Sequence, residues 1–226
     1  PLTKISDSDV IFSYGGLRPI VEQETEVAVE VYRASRKYEI YDHEKDIGLK
    51  GLLTVIGGKY TTSRHLAEKI VARVLQKLGR KAVPGDTQET PLSGGATGRY
   101  KDFLESWRRR YPQLSAEILE NLCRSYGSNI GKVLAYGHQN PKSLKRISGG
   151  TIEIYAQILY AIHHEMALTL EDVLFRRTGL GLLGNPGREV IACVAEEMGR
   201  ELKWSAGRKL TEIGTVIDRY KHVSAP

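Results

Sequence analysis

The sequence is short of several residue types whose absence narrows its class. Only two cysteines, Cys123 and Cys193, occur in 226 residues. They lie far apart, with no histidine at zinc-site spacing, which excludes a disulfide framework and argues against a cysteine metal site. Each falls in a helix-like apolar pattern and is expected to be a buried, reduced thiol in a cytoplasmic setting. No apolar run approaches the roughly 18 residues of a membrane span. No sign of charge dominates: 33 Lys and Arg stand against 27 Asp and Glu. So mild and well mixed an excess suits an anionic small ligand as well as nucleic acid or an anionic membrane. Position 1 is Pro rather than Met, and no charged and apolar leader follows, so a piece of a longer protein is expected. Internal repeats and low-complexity tracts are missing too. What remains is an ordinary globular composition, 41% hydrophobic and 27% charged, sufficient for one large domain or two small ones.

Glycine, by contrast, is plentiful, and it punctuates the first half. Val10-Ile11-Phe12 reads as a strand ended by Ser13-Tyr14-Gly15-Gly16, and Tyr38–Tyr41 as a second. Leu52–Ile56 is too short for a helix and is bounded by Gly51 and Gly57, which predicts a buried strand. From Thr62 the spacing of Leu66, Ile70, Val71, Val74 and Leu78 predicts a helix closed by Gly79. Arg80 to Gly98 carries two prolines and four glycines with little apolar periodicity and reads as an interdomain linker. Beyond Tyr100 the pattern is helical, clearest at Ile118/Leu119/Leu122/Cys123/Tyr126 and at Ile154/Tyr155/Ile158/Leu159/Ile162/Met166. Thr169–Asp172 forms a capping box, Asn185 ahead of Pro186 suggests an N-cap, and Leu210, Ile213, Ile217 and Tyr220 mark a last helix. The expected fold class is α+β, with strands and one helix in residues 1–89 and an all-helical domain in residues 90–226.

The sharpest chemical feature is Gly57-Gly58-Lys59-Tyr60-Thr61-Thr62-Ser63-Arg64. It joins a strand end, a side-chain-free turn, a lysine and a helix start. The first N–H groups of a helix lack intrahelical partners and the dipole adds positive charge there, so an anion or carbonyl is stabilised. A P-loop is excluded, because Tyr60 stands where Ser or Thr is needed. In Gly15-Gly16-Leu17-Arg18-Pro19 an arginine suited to carboxylate or phosphate follows a glycine turn. By itself it reads more readily as a surface arginine than as a ligand-binding one. His163-His164-Glu165 puts neighbours about 100° apart on a helix, which argues against a shared metal, and no metal site is assigned. Trp107-Arg108-Arg109-Arg110-Tyr111 mixes aromatic and basic residues, as a nucleic-acid surface does, but equally suits a helix end carrying cations.

In order along the chain stand Gly16-Leu17-Arg18-Pro19, Ser35-Arg36-Lys37-Tyr38-Glu39-Ile40, then Gly51-Leu52 with a short apolar strand, and Gly57-Gly58-Lys59-Tyr60-Thr61-Thr62-Ser63-Arg64. This series resembles the C-terminal half of FAD-dependent glycerol-3-phosphate dehydrogenases and glycerophosphate oxidases. Leu170–Thr178 in the helical half is similar to that family too. The resemblance implies a remnant of an FAD-binding domain followed by a helical domain, in an enzyme oxidising sn-glycerol 3-phosphate to dihydroxyacetone phosphate. It places the flavin against Gly57, Gly58, Lys59, Thr61 and Thr62, with Arg18 touching cofactor or substrate. By the same resemblance Arg18 and Arg36 would hold the substrate phosphate, and Lys59 would act as the catalytic cation beside the reacting oxygen. Quinone or oxygen is the implied electron acceptor, with a peripheral contact on the cytoplasmic membrane and no nucleic acid. The family's N-terminal βαβ unit with its Gly-x-Gly-x-x-Gly fingerprint has no counterpart here, so the adenine and pyrophosphate of FAD would lack their cradle, and FAD is expected to be absent from this piece alone. Two alternatives are a D-amino-acid-oxidase-like enzyme of another small anion, since Gly-x-Arg-Pro also resembles that group's carboxylate-holding segment, and a basic helical module binding membrane, protein or nucleic acid.

Overall fold

The structure, a computed structural model, describes residues 6, 9, 10, 15, 16, 38–81, 83 and 85–221. It divides into two compact units, Gly15–Pro91 and Leu92–Pro226 with Pro1–Tyr14. Strand and helix occur together, so the α+β class expected from the sequence is what is found. Of the strand expected at Val10–Phe12, Ile11 and Phe12 lie outside the described residues, and Val10 belongs to no element.

In the first unit β1 (Tyr38–Asp42) runs into α1 (His43–Ile47), and β2 (Leu53–Gly57) returns antiparallel to β1. Tyr38 faces Gly57, Ile40 faces Val55 and Asp42 faces Leu53. Asp42 caps α1 by accepting from the Glu44 N–H at 3.3 Å, and His43 Nε2 lies 2.8 Å from Thr54 Oγ1. Helix α2 (Ser63–Lys77) follows and closes through Gly79, whose φ of +67° suits the left-handed turn. Thr87 donates to Glu68, which also pairs with Arg64, so the segment after α2 is tied back to it. Burial departs from expectation here. The strand 53–57 is half-buried rather than buried, and Ile56 is exposed. No described residue of this unit reaches full burial.

Lys77 donates to Asp42 at 2.8 Å and to Glu44 at 2.6 Å. The ammonium, chiefly by its hydrogen bond, holds the Asp42 carboxyl below its ordinary range. A carboxyl lowered in the folded state contributes stability above its unfolded pKa, and that contribution is lost as pH falls through the folded value. Amide exchange in β1 and α2 should therefore quicken as pH drops below about 4, after correction for the intrinsic rate. Lys77→Met should flatten that dependence. A profile unchanged by the substitution would assign the acid sensitivity to another group.

The second unit is helical. Helices α3 (Tyr100–Arg110), α4 (Ala116–Tyr126), α5 (Ile130–Leu134), α6 (Tyr136–Gln139) and α7 (Tyr155–Glu165) are followed by a π-helix, Asp172–Arg177, then α8 (Arg188–Glu201) and α9 (Ala206–Lys221). One buried cluster joins Leu122, Ile130, Val133, Leu134, Ile154 and Tyr160. A second joins Ile158, Leu170, Leu174, Ile191, Met198 and Val216. Each large aliphatic side chain taken fully out of water contributes about 1.5–3 kcal/mol. Helix α7 supplies both clusters, through Tyr160 and Ile158, and so welds them into one core. Between α3 and α5, Gly131 would place a Cβ 3.3 Å from the Trp107 ring, so a hydrogen there leaves room for the indole.

Several local expectations need correction. Asn185 is not the N-cap of α8; its side chain accepts from the Gly187 N–H at 3.0 Å in a turn, and Gly187 at φ +89° is the cap. Met166 leaves the apolar stripe of α7, taking a left-handed conformation with 79% exposure. Leu210 is 71% exposed, and Val216 fills the core place on α9 instead. Cys123 is buried as expected, but Cys193 is half-buried. The capping box is present, with the Asp172 N–H donating to Thr169 Oγ1 at 3.3 Å and the Thr169 N–H to Asp172 Oδ2 at 2.9 Å, although it opens a π turn rather than an α-helix. The supposed linker is partly built in: the Ser128 N–H donates to the Gly94 carbonyl at 2.9 Å, and Asn129 Nδ2 to Ser93 Oγ at 2.9 Å. No described helix is long and apolar enough to cross a membrane.

Candidate functional site

The glycine corner is formed as its sequence suggests. β2 ends at Gly57 with φ +78°, and Gly58 at φ +101° turns the chain through a region other residues rarely adopt. Lys59 is extended, at φ −121° and ψ 149°, and Tyr60–Thr62 make one 3₁₀ turn before α2. The Lys59 carbonyl accepts from the Thr62 N–H at 3.0 Å and from Thr62 Oγ1 at 3.1 Å. The Tyr60 carbonyl accepts from the Ser63 N–H and from Ser63 Oγ, the latter at 2.8 Å. These bonds occupy the Lys59 and Tyr60 carbonyls, while the N–H groups of Tyr60 and Thr61, first in the turn, have no intrahelical partner.

Five of the expected site residues fall among the described residues. Gly57, Gly58, Lys59, Thr61 and Thr62 lie together in this corner. The Thr62 hydroxyl bonds back to Lys59, leaving the backbone to meet a ligand. Lys59 is exposed and makes no ion pair among the described residues. Arg18 and Arg36 lie outside the described residues. The other candidates are occupied by packing. His163 Nε2 lies 2.8 Å from Glu201, while His164 stacks on Tyr160 at 4.7 Å. Trp107 lies between Phe103 and Tyr111, with Arg110 5.2 Å from its ring. Arg176 pairs with Asp172 at 2.6 Å, and Arg177 donates to the Glu165 carbonyl at 2.8 Å.

Two features escape sequence reasoning. The bare spacing Gly-x-Gly-x-x-Gly does occur, at Gly179, Gly181 and Gly184. It follows a π-helix rather than a strand, and Gly181 is filled against Phe175 and the Tyr220 hydroxyl. It is therefore a packing turn, with none of the context a dinucleotide cradle needs. The second is a row of cations on α2. Lys69 lies 5.8 Å from the Tyr38 ring, Arg73 donates to the Ile40 carbonyl at 3.4 Å, and Lys77 holds Asp42. Its only sequence signal is the four-residue spacing.

Comparison with known proteins adds a further observation. Residues 85–209 match the family described as the C-terminal domain of alpha-glycerophosphate oxidase. The chain is 32% identical over 207 residues to a glycerol-3-phosphate dehydrogenase of Synechocystis sp., an alignment spanning 91% of this chain and 36% of that protein. It is also 32% identical over 190 residues to the aerobic glycerol-3-phosphate dehydrogenase of Escherichia coli, spanning 82% and 36%. A solved glycerol-3-phosphate dehydrogenase from Bacillus halodurans, complexed with FAD, superposes with a TM-score of 0.64 at 29% identity, covering 76% of this chain and 35% of that one. The chain thus spans about a third of the length of these relatives.

Proposed function

Because the chain belongs to the family of the C-terminal domain of alpha-glycerophosphate oxidase, we propose that it is the C-terminal part of an FAD-dependent glycerol-3-phosphate dehydrogenase. The reaction is oxidation of sn-glycerol 3-phosphate to dihydroxyacetone phosphate. The observation that carries this reading is the glycine corner, in which two positive-φ glycines present bare backbone beside the opening N–H groups of a helix start.

That donor set fits a flavin edge. The flavin, when bound, supplies the acceptor for the substrate's hydride and gathers negative charge on its pyrimidine side. The Tyr60 and Thr61 N–H groups, pre-oriented by the two bonded carbonyls beneath them, stabilise charge arriving there without reorganising. Lys59, extended from the turn, holds its ammonium beside the reacting oxygen. Arg18 and Arg36 take the substrate phosphate, the group a guanidinium fork binds best. The packing of α2 agrees with this reading. One face lies along β1 through Lys69, Arg73 and Lys77, while Val71, Val74 and Leu78 stand 55%, 40% and 63% exposed on the other. A helix held to its strand by cations, with an apolar face left exposed, suits the middle of a larger domain.

Transplanting residues 38–79 into the Bacillus halodurans relative, in place of its own equivalent segment, tests the reading. The chimera should purify yellow and reduce a dye when given glycerol 3-phosphate. A folded chimera that has lost its flavin would remove the corner from the cofactor site.

A further inference from the structure

Helix α2 and strand β1 run side by side in matched steps. Four residues of helix advance about 6.0 Å, and two residues of strand about 6.6–6.8 Å. Lys69, Arg73 and Lys77, spaced by four, therefore meet Tyr38, Ile40 and Asp42, spaced by two, one cation to each strand residue. The contacts differ in kind: an ammonium 5.8 Å from the ring of Tyr38, a long 3.4 Å bond to the Ile40 carbonyl, and ion pairs at 2.8 and 2.6 Å to Asp42 and Glu44. A slip of α2 by one residue would turn all three side chains through about 100° and break every rung. The last rung before the helix start is Tyr38. That residue pairs with Gly57, and its Cβ would lie 3.5 Å from a Cβ placed on Gly58; Leu66 of α2 would lie 3.6 Å from the same point.

We infer that Lys69, Arg73 and Lys77 are positioning residues: a cation ladder that locks α2 in register along β1 and thereby sets the rotation of its N-terminal N–H groups at the glycine corner. Hydrophobic packing cannot supply this register. No residue of α2 is fully buried, and Val71, Val74 and Leu78 stand 55%, 40% and 63% exposed, so burial energy changes little on a small slide or turn. The ladder supplies the directional contacts that packing lacks. For catalysis the inference rests on the reading of the corner as a flavin site; for structure it does not.

The test has one arm for each dependence. In the whole chain, Lys77→Met should raise amide exchange at Thr62 and Ser63, whose bonds to the Lys59 and Tyr60 carbonyls define the corner, by about threefold or more. Lys77→Arg should leave those rates near the parent value. Quickened exchange confined to the C-terminal turn around residues 74–79 would mean local fraying and would overturn the ladder. If Lys77→Met loses the hairpin altogether, Arg73→Met, which keeps the Asp42 ion pair, is measured by the same criterion. In the yellow chimera, Lys77→Met should shift the flavin reduction potential while flavin content is kept. Exchange that responds beside a potential that does not move would leave the ladder standing and overturn the flavin reading of the corner.

Discussion

In a full-length enzyme carrying this segment, Arg18→Met or Arg36→Met should lower kcat/KM for glycerol 3-phosphate about ten- to hundredfold while FAD content stays near the parent value. Each change removes one charge-assisted contact, whose loss costs roughly 1.5–3 kcal/mol. The phosphate keeps its charge throughout the reaction, so such contacts act largely as uniform binding and appear mainly in KM. Lys59→Met should lower kcat as well, because a cation beside the reacting oxygen matters most where charge changes in the transition state. The flavin should survive all three substitutions, since the corner meets it with backbone groups that no side-chain change removes. Steady-state kinetics with glycerol 3-phosphate and with unphosphorylated glycerol separate the roles. The arginine variants should lose most of the preference for the phosphorylated compound, and retention of that preference in both would move the phosphate site elsewhere.

The largest structural effect is expected from Gly127→Ala. Gly127 ends α4 at φ +50° and ψ −132°, outside the range of L-residues, and an added Cβ would lie 2.0 Å from the Gly94 carbonyl oxygen and 3.0 Å from its carbon. Both obstacles are backbone, so no side chain can swing away. The same glycine pair carries the 2.9 Å bond from the Ser128 N–H to the Gly94 carbonyl, and relief of the clash breaks it. Backbone strain and overpacking together should destabilise the helical unit by about 2–5 kcal/mol, a large part of a domain's usual stability. Gly214→Ala is the control, because it lies inside α9 with nothing within 4 Å of the new methyl and should be neutral or stabilising by up to about 1 kcal/mol. Thermal melts that place the two variants together would show that the Gly94–Gly127 approach is not needed for stability.

The candidate corner is legible in the sequence because its signals are local. Two glycines after an apolar run, then Lys, Tyr and Thr residues ahead of a 3.6-residue period, specify a strand end, a positive-φ turn and a helix start within eight positions. The helical half was legible for the same reason, as at Ile118, Leu122 and Tyr126, where a single buried stripe repeats without interruption.

Other features depend on neighbours distant in sequence. Leu66 to Leu78 read as one apolar stripe, yet Val71, Val74 and Leu78 face outward while Lys69, Arg73 and Lys77 grip β1. Periodicity reports that a face is apolar and is silent about which strand will lie beneath it. The π turn at Asp172–Arg177 is similar. Its sequence suits an α-helix, but Glu212 of α9 caps the Leu170 N–H at 2.8 Å, Arg219 of α9 pairs with Glu171 at 2.8 Å, and Tyr220 bonds the Gly181 carbonyl at 2.9 Å. These anchors accompany the wider turn, and nothing in residues 170–181 announces them.

The sequence by itself determined the α+β class, the glycine corner and most of the helices, because hydrophobic period, capping residues and positive-φ glycines act over a few neighbouring positions. Only the tertiary structure decided which face of α2 meets β1, that Gly94 and Gly127 touch backbone to backbone, and that the second Gly-x-Gly-x-x-Gly spacing is filled by Phe175 and Tyr220. Those outcomes turn chiefly on contacts between residues 31 to 39 positions apart, where local propensity carries no information and shape and directional polar contacts choose among arrangements of similar apolar burial.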